Sequence, residues 1–459
     1  MLRKTQKKKQ FCPLPTNPLP FPFIHLPLPS PPPSFNFNGS VPLQVSDLLF
    51  LFCKLLNLLC RWSSFSGASM GPIRGLKRKK KADKDVASYA PTLSRQPTLS
   101  PSDWWDGFSR RITGSSGDKV TFESVFKFSR RTFNYICSLV KDDMMCKHPN
   151  LTDLSGKLLS LNDRVDVALR RLSSGESLSS LGDSLGIHQS SVAQITWRFV
   201  ESMEERGLHH LCWPSTEEDV KEIKDKFESI RGLPNCCGAI DTTHIVFCQS
   251  SADPSSKVWC DLEKNHSMIL QAIVDPTMKF LDVLAGLPGS MSDTRVLKSS
   301  RFFALAEEGN RLNSKKLKLS DGTEIREYIV GDLGFPLLPW LLTPYQGRGL
   351  SDYQSELNRR HYATRKVAQR ALARLKERWK IIQGIMWRPD KHKLPRIILV
   401  CCILHNILID LDDEIQNEAL LSHNHDPDYR QQNGDASNKS ALTQRERLAL
   451  YLSGKSPPE

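Results

Sequence analysis

The sequence predicts an α/β fold, a mixed sheet flanked by helices and preceded by an all-α segment. Three patterns predict it. Between residues 233 and 332, short runs rich in Ile, Val and Leu (CGAIDTTHIVF, SMILQAIVD, FLDVLAGL, EYIVGDL) are punctuated by Pro and Gly, as strands are. Before and after them, apolar residues recur at helical spacing. Strands followed by helices in one block indicate a sheet covered by helices. Composition agrees: 39% hydrophobic and 25% charged residues among 459 are ordinary globular usage, which excludes wholesale disorder and a fibrous architecture.

Residues 1–69 predict no folded domain. They hold 11 of the 29 prolines before residue 43, and each proline fixes φ and removes a donor, so this reads as a disordered, extended Pro-rich segment. Its apolar run LLFLFCKLLNLLC (48–60) is interrupted by Lys54 and Asn57 and is too short to span a bilayer. It also lies too far in for an ordinary signal peptide, so an intracellular protein without membrane attachment is expected. Met70 opens GPIRGLKRKKK like a fresh start, and 1–69 is expected to be an extension introduced by the gene model. Residues 70–101 are a basic segment and linker. Lys77, Arg78, Lys79, Lys80 and Lys81 form a run suited to nuclear import or to phosphate contact, and a Ser/Thr/Pro-rich stretch follows.

The net charge of +13 is concentrated in these segments. Seven Lys/Arg against Asp47 give 1–69 a charge of +6, and seven bases against Asp83 and Asp85 give 70–85 a charge of +5. The body is left with +2, which excludes reading the whole chain as one polyanion-binding surface. Twelve cysteines without a CxxC pair fit thiol usage in the cytosol or nucleus. Cys236–Cys237 and Cys401–Cys402 lie in apolar runs and are expected in the core.

Residues 102–232 predict a helical domain. Phe126, Phe133, Ile136, Leu139 and Val140 share one helical face, and Val165, Ala168, Leu169 and Leu172 share another. In SLSSLGDSLGIHQSSVAQITWRFVESMEE, a short helix ends at Gly186 and a second follows, capped by Ser190 or Ser191, in a helix-turn-helix arrangement. Gln189, Ser190, Ser191 and Gln194 would then face DNA. The same pattern suits a plain helical hairpin. Arg198 is the only base in 177–203, against Asp183 and Glu201, so electrostatic help for DNA is poor. A charged helix over 216–232 leads into the α/β domain at 233–411, which ends in helices over 358–383 and 394–410. Residues 412–459 read as a polar mobile tail.

The informative chemistry is a set of acids beside strands: Asp241 after Gly238–Ile240, Asp293 after a Pro-Gly-Ser turn, and Asp332 after EYIVGD. Carboxylates projecting from one end of a sheet can hold two divalent metals about 4 Å apart for phosphodiester chemistry. Isolated Asp residues also cap helices and turns, and spacing alone leaves both readings open.

Around these acids the sequence resembles the PIF/Harbinger transposase family. The matching pieces are GAIDTTHI (238–245), GLPGSMSDTRVL (286–297), YIVGDLGFPLLPWLLTPY (328–345), QRALARLKERWKII (369–382) and CCILHNILID (401–410), in the family's order. Within the family the chain looks most like the domesticated plant branch. The resemblance implies a ribonuclease-H-like fold and a DDE nuclease ancestry using Mg²⁺ or Mn²⁺. Asp241 matches the first catalytic and metal-binding aspartate and Asp293 the second, with Asp332 in a supporting role behind them. The third catalytic position is Gln369 where the family has Glu. Thr242 replaces a usual Gly and Ser292 a usual His, so all three departures adjoin the site.

A neutral amide in place of a carboxylate removes one negative charge from a site that must hold two cations. The expected function is therefore that of a nuclear, transposase-derived protein with an impaired nuclease centre, acting as a binding component of a chromatin- or DNA-associated complex. The resemblance implies a Myb/SANT-like DNA-binding partner and a chromatin-silencing complex, with DNA contacted directly or through the partner. The competing expectations are a surviving metal-dependent DNA endonuclease and a DNA-binding regulator that does not cut. His244 and His405 are expected as packed, hydrogen-bonded histidines, and Trp340, Trp379 and Trp387 as core or interface aromatics. Arg365, Lys366, Arg370, Arg374, Lys376 and Arg378 are expected to give one helix a basic face.

Overall fold

Side-chain caps and left-handed glycines set the helical first half. In the computed structural model, the residues described are 104–105, 109, 121–146, 150–248, 256–319, 322, 324–385, 393–413 and 438–454. All belong to one unit, Gly71–Glu459. The import run Lys77–Lys81, Trp387 and everything expected of 1–69 lie outside the described residues. Helix α1 (Phe122–Phe126) and α2 (Arg130–Cys146) bury Phe122, Phe126, Phe133, Ile136 and Val140. Helix α3 (Leu161–Ser174) starts in a capping box between Ser160 and Asp163 and stops at Gly175 with φ 69°.

Helix α4 (Leu178–Leu185) is capped by Ser177 and stops at Gly186 with φ 63°, where a side chain would be strained. Helix α5 (Gln189–Arg206) follows after two residues. Its N-cap is His188, whose ring accepts from the Ser190 N–H, rather than the expected Ser190 or Ser191. Helix α6 (Glu217–Arg231), capped by Thr216 and ended by Gly232, leads to the sheet.

Strand β1 (Cys236–Val246) runs straight through Asp241, which the sequence reading places at a strand end. After the short α7 (Ser256–Trp259), β2 (Ser267–Val274) and β3 (Phe280–Pro288) extend an antiparallel meander. Helices α8 (Asp293–Ser299) and α9 (Arg301–Glu307) and a small ribbon of β4 (Leu317–Lys318) and β5 (Glu324–Ile325) come next. Then β6 (Tyr328–Val330) pairs parallel to β1, and β7 (Leu341–Leu342) parallel to β6. The result is a mixed five-stranded sheet in the order β3-β2-β1-β6-β7.

Helices cover both faces. Strand alternation sends Ala239, Ile245, Leu270 and Ala272 into the larger core, with α10 (Asp352–Arg378) and α11 (Leu394–Asp410). Ile240, Ile273 and Ile329 go to the other face, with Leu297 of α8 and Phe302 of α9. Both expected cysteine pairs are buried, and burial pushes the Cys236 thiol up to about 12, so it is a packing residue rather than a nucleophile. Trp340 and Trp379 are core residues as expected.

Two boundaries differ from the sequence reading. Within the stretch expected to be a mobile tail, α12 (Lys439–Leu452) is a docked helix. Ala441, Leu448 and Ala449 are buried on one side of it, and Glu446 accepts from both the Tyr345 and Tyr353 hydroxyls at 2.7 Å. These three small or apolar positions on one side outweigh the polar composition. Nor is position 232 a gap in packing, because one core runs from Phe122 to Ala449. Across it, His210 Nδ1 meets Asp410 at 2.6 Å, and the Asn406 amide donates to the His210 carbonyl at 2.8 Å.

Among the described residues, no helix is long and apolar enough to cross a membrane.

Candidate active site

Asp241 lies in the middle of β1 on the face covered by α10, and its side chain is buried. The parallel register sets Ala239 beside Val330. Continued by two residues, past the end of β6, it brings Asp332 level with Asp241. Gly331, just before Asp332, is required here: a Cβ would stand 2.9 Å from Ile240 Cγ2 and 3.0 Å from Phe335. Asp332 therefore leaves β6 where a larger residue before it would push the strand off β1.

Helix α10 places Arg365 over this pair. Its guanidinium lies 4.0 Å from Asp241 Oδ2 and 3.9 Å from Asp332 Oδ2. Gln369 follows one helical turn later, half-buried on the same side of the helix. Burial pushes the Asp241 carboxyl well above the usual carboxylate range; Arg365 opposes this, and Asp332 and then Asp293 add to it. The Thr242 N–H donates to Asp241 Oδ1 at 2.9 Å.

Asp293 is placed differently. It is the buried first residue of α8. Thr242 Oγ1 donates to Asp293 Oδ1 at 2.8 Å. The departure from Gly at position 242 thus supplies the hydroxyl that engages Asp293. The sequence reading pairs Asp241 with Asp293 and gives Asp332 a supporting role; the sheet register and Arg365 bring Asp332 to Asp241 as well, while Asp293 stays within electrostatic reach of Asp241. Nothing in the spacing of 241, 293 and 332 reveals this, because it depends on which strand lies beside β1. Ser292 precedes α8 without a side-chain capping bond.

The other expected residues sort clearly. His405 Nε2 contacts the Met278 carbonyl at 3.0 Å and His244 Nδ1 the Ser267 hydroxyl at 2.9 Å, so both are packed histidines as read. The six bases of α10 expected on one face do not share it. Arg365 turns to the acids, Lys376 Nζ donates to the His244 carbonyl at 2.9 Å, and Arg378 lies over the Phe128 ring. Lys366 and Arg370 are exposed. In the α4–α5 pair, Gln189, Ser190 and Gln194 are exposed and Ser191 is half-buried. Arg198 is held by Glu201 at 3.1 Å and Asp143 at 3.8 Å.

Residues 240–406 match the family model described as DDE superfamily endonuclease. The chain is 61% identical over 353 residues to a protein ALP1-like of Arabidopsis thaliana, covering 77% of this chain and 86% of that one. It is 44% identical to the antagonist of like heterochromatin protein 1 of the same plant, covering 78% and 94%. The chain belongs to the PIF/Harbinger transposase-derived family. More distantly, it is 26% identical over 302 residues to the putative nuclease HARBI1 of Homo sapiens, covering 64% of this chain and 79% of that one. No solved structure matches. The mixed five-stranded sheet flanked by helices is consistent with the nuclease fold of the DDE superfamily.

Nucleases of that superfamily generally use divalent metal. The donors found here do not fit one. Among the described residues, no group of three or more His, Cys, Asp or Glu is arranged to hold a metal ion. The two carboxylates that do come together already share a guanidinium, and position 369 offers a neutral carbonyl oxygen in place of a charged one. An Mg²⁺ or Mn²⁺ ion needs oxygen donors with enough negative charge to compensate its dehydration.

Proposed function

We propose that this chain is a nuclear, domesticated transposase-derived protein that does not cut DNA and works as a binding component of a chromatin- or DNA-associated complex. The observation that carries the reading is the Arg365 guanidinium between Asp241 and Asp332, with Gln369 one turn beyond it. Gln369 leaves the site one negative charge short of what a glutamate at that position would give. Loss of one electrostatic group aimed at a transition state commonly costs about 10²–10³ in rate.

Binding is favoured as the retained role because the fold around the impaired centre is fully built. The helix pair α4–α5 presents Gln189, Ser190 and Gln194 to solvent as a DNA-reading helix-turn-helix would, yet its two arginines, Arg198 and Arg206, are both paired with acids. This supports delegating DNA recognition to a Myb/SANT-like partner. The name of the 44%-identical plant relative favours a chromatin-silencing complex as the setting, and Lys77–Lys81 would supply nuclear import.

The test is nicking of supercoiled plasmid by the full chain in Mg²⁺ or Mn²⁺, beside Gln369→Glu and Asp241→Ala. The natural chain is expected to leave the plasmid intact, and Gln369→Glu to restore some cutting. Cutting by the natural chain that Asp241→Ala abolishes would overturn the proposal and make the protein an active endonuclease.

A further inference from the structure

Two carboxylates side by side, Asp241 on β1 and Asp332 just past the end of β6, repel, and in a buried setting that repulsion must be compensated. In a metal-loaded acid site the cation supplies the compensation. Here a side chain of this chain stands in that place. Arg365 reaches both acids from α10, at 4.0 Å and 3.9 Å, and is itself shielded from solvent, with 15% side-chain exposure. Its separation from each oxygen is too long for a direct hydrogen bond, so it acts through charge.

We propose that Arg365 is the resident cation of the Asp241–Asp332 pair, taking the place of a divalent ion and locking β1, β6 and α10 together without metal. The inference rests on the reading of this centre as non-cleaving and adds a reason for it. The fixed charge does two things at once: it holds the two acids together in the folded protein, and it repels an incoming Mg²⁺ or Mn²⁺. With Gln369 in place, position 369 adds no carboxylate to offset that repulsion. The site is then structurally complete without metal, a self-contained joint between sheet and helix.

The experiment compares the full-length natural chain with Arg365→Met and with the double variant Arg365→Met/Asp332→Asn, by thermal unfolding in chelator and in millimolar Mn²⁺, and by Mn²⁺ binding followed by electron paramagnetic resonance. The natural chain is expected to melt at the same temperature with and without Mn²⁺. Arg365→Met should melt lower in chelator, recover in Mn²⁺, and bind Mn²⁺ roughly tenfold or more tightly than the natural chain. The double variant, which removes an acid together with the cation, should melt above Arg365→Met in chelator. The proposal is overturned if the natural chain binds Mn²⁺ as tightly as Arg365→Met, or if the double variant melts no higher than the single one. Tight Mn²⁺ binding by a natural chain that leaves plasmid intact would end this inference and spare the non-cleaving reading. Plasmid cutting by the natural chain would end that reading.

Discussion

Asn406 gives the sharpest test of how the helical layer is fixed to the sheet. It is fully buried on α11 and makes three hydrogen bonds at 2.8 Å. Its Oδ1 accepts from the Phe280 N–H, and its amide donates to the carbonyls of Phe280 and His210. The side chain thus pairs with the start of β3 as another strand would, and also holds the turn after α5. Each such bond contributes about 1 kcal/mol net, and a buried partner left unsatisfied costs about 1–3 kcal/mol. Asn406→Ala orphans one N–H and two carbonyls, so a loss of roughly 3–5 kcal/mol is expected. Asn406→Asp keeps the acceptor for Phe280 but turns an oxygen toward both carbonyls, and should be no more stable than the alanine variant. Urea unfolding followed by tryptophan fluorescence reads this directly, because Trp340 and Trp379 are buried. The midpoint should fall at unchanged slope. Losses below about 1 kcal/mol in both variants would refute the assignment of these bonds as the clamp.

Three further outcomes follow from other parts of the molecule. Burial holds His361 and His405 neutral, each with its pKa lowered from 6.5 to about 4. The unfolded chain therefore binds more protons between those values, and stability should fall as pH drops from about 6.5 to 4 by up to about 1.4 kcal/mol per pH unit for each histidine. A flat stability profile across that window would contradict it. Glu446→Ala removes the acceptor of both tyrosine hydroxyls, and hydrogen exchange in α12 should quicken while β1 and β2 stay protected; unchanged exchange would show that apolar packing alone docks this helix. In Gly182→Ala the new Cβ would stand 2.6 Å from the Ile187 carbonyl oxygen, so the turn between α4 and α5 must shift at a cost of about 1–3 kcal/mol, measurable by the same urea titration.

Much of the fold was legible from the sequence because its signals are local. Gly186 and Gly232 mark helix ends through their left-handed backbones, Thr216 marks a helix start, and helix α11 begins and ends where LPRIILVCCILHNILID does. The apolar runs of β1, β2 and β3 are recognisable by composition alone. The candidate site was only half legible. Asp241 stands out in its motif, and Gln369 is conspicuous as a neutral residue where the family has an acid. The placement of Asp332 beside Asp241 depends on strand order, a long-range property that no spacing encodes. The basic face of α10 failed as a sequence reading for a related reason. Helical periodicity puts Arg365 and Lys376 on one side and Arg378 on the other, and their targets belong to distant segments: Asp241, the His244 carbonyl and the Phe128 ring. The docked α12 was obscured by its polar surroundings, and only tertiary contact with Tyr345 and Tyr353 identifies its inward side.

The core that runs unbroken from Phe122 to Ala449 has a practical consequence for taking this protein apart. A fragment cut at 232 would strip Ile195, Phe199 and Met203 from the apolar side of α11, leaving Asn406 without its His210 partner and Asp410 without its histidine. The portion carrying the acids would then be insoluble or misfolded for reasons unrelated to its chemistry. Partner mapping with such halves would report sticky surfaces created by the scissors. Point substitutions in the intact chain are the dissection this architecture permits, and a change in α5 should be felt at β3 through the same side chains.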